Sequence, residues 1–82
     1  MTPTQCRAAR GLLEITQPEL AHAADLGLST IVDFEKQRRV VSMEAVEAIR
    51  AALERAGIEF IDENGGGEGV RLRKPARQPR RK

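Results

Sequence analysis

Few side chains in this sequence could carry chemistry, and they are scattered. Cys6 is the one cysteine and His22 the one histidine. Cys6 shares a helical stripe with Ala9 and Leu13, which marks it as a small core residue rather than a redox centre. His22 stands among alanines and is expected at the surface, not on a metal. No Ser/His/Asp or Cys/His set occurs. Glu14 with Glu19, and Glu44 with Glu47, read as helix-surface and first-turn charges rather than an acid–base pair. Glycines 65–67 lack the lysine and helix that must follow a phosphate-binding loop, so they read as a connector. The expectation is no enzyme, no cofactor and no metal.

What remains is charge. Residues 1–70 hold seven basic and all twelve acidic side chains, a net of −5. Residues 71–82 hold Arg71, Arg73, Lys74, Arg77, Arg80, Arg81 and Lys82 with no acid, a net of +7. A folded body with a cationic tail suits a polyanionic partner. Arg38 and Arg39 add a second basic pair in mid-chain.

The elements that must position these charges can be read locally. At 82 residues the chain is one domain, too small for a large enclosed site. Its aromatics are Phe34 and Phe60 alone, so the core is aliphatic, which favours helices. One cysteine makes no internal disulfide, and no stretch nears the ~18 apolar residues of a membrane span. A cytoplasmic protein is expected. Thr2-Pro3-Thr4-Gln5 and Thr16-Gln17-Pro18-Glu19 both have the form of a capping box with proline in the first turn. They open one helix ending near Glu14 and another over 17–24. Asp25-Leu26-Gly27 breaks the second, and 28–36 forms a third with Ile31 and Phe34 inward. Ser42 caps a fourth that stops at Gly57, its stripe being Val46, Ile49 and Leu53. After Gly57 the period changes to two, giving strands at 58–61 and 70–73 across a glycine-rich loop. Prolines and charge from residue 74 on predict disorder. The expected organisation is 1–57 helical, 58–73 a β-hairpin, and 74–82 a disordered basic tail.

Helix, three-residue break, helix within 17–36 is the shape of a helix-turn-helix. Here the chain resembles the phage-repressor-like (XRE-type) helix-turn-helix family. The matching residues are Thr16 to Ala21, the Ala24-Asp25-Leu26 turn, and Ser29 to Lys36 followed by Arg38-Arg39. The resemblance spans about 3–56 and implies a mainly α fold, a compact bundle of four or five short helices. It implies DNA binding, with 28–36 as recognition helix in the major groove. It makes Gln17 a phosphate contact, puts Leu28, Ser29, Thr30 and Asp33 toward the bases, and sets Arg38 and Arg39 on the phosphate backbone. It also pairs Arg10 with Glu35 as a structural ion pair.

This sequence departs from the family pattern at Asp25 and Gln37, where glycine is common, and at Gly27, where a hydroxyl often caps. The base-facing set is poor in donors. The leading expectation is a sequence-specific regulator that binds double-stranded DNA as a homodimer through residues 58–73, where Glu59 and Arg71 face one another. A second is an antitoxin- or adaptor-like module whose Leu28 and Asp33 meet a protein partner. A third is non-specific DNA binding through the tail alone.

Overall fold

The computed structural model describes residues 1–73; the tail expected over 74–82 lies outside the described residues. Four helices, α1 (Pro3–Leu13), α2 (Gln17–Ala24), α3 (Leu28–Lys36) and α4 (Met43–Arg55), are followed by strands β1 (Ile58–Ile61) and β2 (Gly69–Leu72). The fold is mainly helical, with one antiparallel hairpin.

Both capping boxes form. Thr2 Oγ1 accepts from the Gln5 backbone N–H at 3.1 Å, and Gln5 Oε1 accepts from the Thr2 N–H at 2.9 Å. Thr16 and Glu19 repeat the exchange at the start of α2. Ser42 Oγ caps α4 through the Ala45 N–H, whereas α3 begins on Gly27 with no side-chain cap. The first three helices all stop the same way. Glu14, Asp25 and Gln37 adopt the left-handed conformation, at φ 58°, 58° and 55°. The next residue then bonds back five positions: Ile15 N–H to Arg10 O, Leu26 N–H to Ala21 O, Arg38 N–H to Asp33 O. Glycine usually fills this place because it has no Cβ to clash.

The core joins Cys6 and Ala9 of α1, Leu20, Ala21 and Ala24 of α2, Ile31 of α3, Ile49, Ala52 and Leu53 of α4, and Ile58 of β1. Two expected core residues are corrected. Phe34 is half-buried at the margin, and Val46 is half-buried outside the cluster. Full burial in α4 begins only at Ile49; one turn before Val46, Met43 is 78% exposed. Periodicity gives the side of a helix that faces the core, but not how far along it the neighbours reach.

The hairpin pairs Ile58 with Leu72, Glu59 with Arg71, Phe60 with Val70 and Ile61 with Gly69. The second strand therefore starts one residue before the expected 70, and ends at Leu72. An isolated hairpin is marginal in water, and this one is docked. Gln5 Nε2 donates to the Ile61 and Gly69 carbonyls at 3.3 and 3.0 Å, and the Arg50 guanidinium sits 4.9 Å from the centre of the Phe60 ring. The expected Glu59–Arg71 pair forms at 2.6 Å on the exposed face. Among the described residues no helix is long and apolar enough to cross a membrane.

Candidate nucleic-acid interface

α2 and α3 are consecutive helices joined by the short link Asp25-Leu26-Gly27, where the sequence suggests a helix-turn-helix. At 100° per residue, Ile31 and Glu35 fall on one side of α3, and Ser29, Asp33 and Lys36 on the other. Burial agrees: Ile31 is 0% and Glu35 1% exposed, while Ser29 and Lys36 are exposed.

The inward side is organised around a buried carboxylate. Arg10 grips Glu35 with two parallel bonds, Nε to Oε2 at 2.7 Å and Nη2 to Oε1 at 2.8 Å. Gln17 Nε2 donates to Oε1 at 3.0 Å, and the Cys6 thiol donates to Oε2 at 3.2 Å. Arg7 Nη1 donates to the Glu35 backbone carbonyl. One side chain thus ties α1 and α2 to α3. Burial alone pushes the Glu35 carboxyl up, but hydrogen bonds from Arg10, Gln17 and Cys6, with the Arg10 charge, hold it below the ordinary carboxylate value. Burial pushes the Cys6 thiol well up, and the hydrogen bond to Glu35 and its charge push it further. This thiol is a donor inside the network and is not poised for nucleophilic chemistry.

The sequence expectations divide here. The Arg10–Glu35 pair forms as expected. Gln17, expected at a phosphate, is half-buried and gives one amide N–H to Glu35, which leaves its second N–H and its oxygen without a partner among the described side-chain bonds. The residues that share this hub were only partly legible. Cys6 was expected as a merely apolar core member, and Arg7 was not singled out, although it lies one turn before Arg10 on the same helix.

On the outward side, Leu28 is 46% exposed, Ser29 is exposed and Thr30 half-buried. Lys36 and Arg38 are exposed and make no side-chain hydrogen bond among those described. Asp33 and Arg39 are not independent sites, as the sequence suggests, but a pair: Arg39 Nε donates to Asp33 Oδ2 at 2.7 Å. The left-handed Gln37 turns the chain back so that residue 39 lies beside residue 33. A shallow groove runs beside this pair, lined by Pro3, Phe34, Gln37, Arg39, Val40 and Val41. Val40 is 94% exposed. His22 is at the surface, and no cluster of metal-ligating side chains occurs among the described residues.

No family model matches the chain, and no curated protein matches it in sequence.

Proposed function

We propose that this protein is a sequence-specific, double-stranded-DNA-binding transcriptional regulator of the phage-repressor-like kind, located in the cytoplasm. The observation that carries the reading is the two-sided character of α3. Its inner side is locked to α1 and α2 by the Glu35 network, and its outer side presents Ser29, Thr30, Lys36 and the Asp33–Arg39 pair, with Arg38 following. A helix held rigidly from behind, with polar and cationic groups in front, suits insertion into a major groove. Arg38 and Lys36 suit the phosphates at the end of the helix. The acidic charge of Asp33, which would repel phosphate, is matched by Arg39.

The protein works as a homodimer through the hairpin, residues 58–73. Among the described residues neither outer strand edge pairs with a further strand, and Leu72 is 51% exposed. Two recognition helices so linked would read half-sites about one helical turn, ~34 Å, apart.

The test is a salt titration of binding, by fluorescence anisotropy, to duplex DNA from upstream of the protein's own gene and to scrambled DNA. We expect a preference of about 10³-fold or more for the native sequence. Equal affinities with a steep salt slope would instead assign binding to backbone and tail contacts. Absence of any binding would overturn the reading. A protein-interaction module, antitoxin- or adaptor-like, would then take its place. The observation that favours this second reading is the exposed apolar series Leu28, Val40 and Met43, which adds nothing to phosphate contact.

A further inference from the structure

We infer that Arg39 is the residue that reads a guanine, and that Asp33 is its positioning residue rather than a base contact of its own. This rests on the DNA-binding reading above and deepens it.

The argument starts from the direction of the guanidinium. Asp33 lies on α3 directly opposite the buried Ile31 and Glu35, on the side that leaves the protein. Its carboxylate takes Arg39 Nε at 2.7 Å, and the Asp33 side chain is 18% exposed. Binding through Nε occupies one edge of the fork. The two Nη groups have no acceptor among the described residues, and Arg39 remains 52% exposed. A planar fork that is held at Nε and open at Nη is the arrangement that accepts two acceptors in one plane. Guanine offers such a pair, O6 and N7, on its major-groove edge. A phosphate can also take two bonds from such a fork, but Asp33 holds this one against the outer side of α3, the side that meets base edges on the DNA-binding reading, whereas Lys36 and Arg38 follow at the end of the helix, where phosphates lie.

Stability gives little reason for the pair. An ion pair with one partner half exposed adds little to folding. The backbone, however, is arranged to bring it about. Gln37 accepts a left-handed conformation at φ 55°, and the Arg38 N–H closes back on the Asp33 carbonyl at 2.9 Å. That reversal carries residue 39 alongside the outer face of α3 instead of away from it. The donor that the outer face of α3 lacks in sequence is thus supplied from the loop that follows.

The two roles for Arg39 predict opposite results. The full chain and the variants R39K and D33A are each used to select binders from a randomised duplex library, and affinities for the enriched site are measured over a range of salt. R39K keeps the charge and loses the fork. On our inference the wild type enriches a site with a defined guanine. R39K and D33A each lose discrimination at that base pair by roughly 5- to 150-fold, with the salt slope little changed. Replacing that guanine by 7-deazaguanine, which lacks the N7 acceptor, weakens the wild type and leaves R39K indifferent. If R39K instead retains wild-type discrimination and D33A binds all DNA more tightly, Arg39 is a phosphate contact, and this inference fails while the DNA-binding reading stands. If the wild type enriches no sequence at all, the DNA-reading function fails and the inference with it. Both positions are on the surface, and circular dichroism of the variants confirms that each is folded.

Discussion

α3 carries two carboxylate–arginine pairs two residues apart, and they differ in almost everything but chemistry. Glu35 faces inward, is 1% exposed, and accepts from Arg10 twice, from Gln17 and from Cys6. Asp33 faces outward and accepts once, from an arginine that is half in water. The first pair joins α1 to α3 across 25 residues of sequence, and Gln17 brings in α2. The second spans a single turn and a loop. Position on the helix cylinder decides which pair holds the fold and which is free to meet another molecule.

The largest way to break this comparison is to remove each carboxylate in turn. Glu35→Ala leaves Arg10 partly buried without its acceptor and Gln17 and Cys6 without theirs. We expect a loss of about 3–5 kcal/mol, the cost of breaking a buried pair from one side. That is a large part of the stability of a domain this size. Asp33→Ala should cost under about 1 kcal/mol. Urea unfolding of the two variants measures the difference; equal losses would mean that the two faces of α3 are not distinct.

Acid sharpens the same contrast. The folded Glu35 carboxyl is held below its ordinary value of 4.5. Its stabilising contribution is therefore full above the unfolded carboxyl's titration and is lost as pH falls through the lower folded value. Wild-type stability should fall between pH 5 and pH 3 more steeply than that of Glu35→Gln. Parallel curves for the two would show that another group governs the acid limb.

The smallest effect concerns the turn that delivers Arg39. Gln37→Gly relieves a left-handed side-chain residue and adds unfolded-chain freedom, so we expect a net gain of up to about 1 kcal/mol, read as a raised Tm. Its separate value is that the Asp33–Arg39 contact loosens if Gln37 itself, rather than the left-handed turn alone, fixes the loop.

Much of the fold was legible because its signals are local. Thr2 with Gln5 and Thr16 with Glu19 exchange bonds three residues apart, and such spacing can be read off a sequence. The same holds for the change of period after Gly57 and for Glu59 opposite Arg71. The three left-handed helix ends were less legible. Only glycine announces that conformation clearly, and here Glu14, Asp25 and Gln37 adopt it.

The candidate site was half legible. The sequence by itself determined which residues lie on each face of each helix, since a period of 3.6 residues needs no neighbours to define it. It also determined the cationic C-terminus and the shortage of donors along the start of α3. Tertiary structure decided what those faces meet. Full burial in α4 began only at Ile49 and left Val46 half-buried because of where the other elements end. Gln17 turned inward because Glu35 had acceptor capacity to spare once Arg10 had taken its place. Arg39 came to rest on Asp33 because the chain reverses at Gln37. Each of these depends on distances between segments that are far apart or turned back in sequence, and hydrogen bonds and burial are set by those distances.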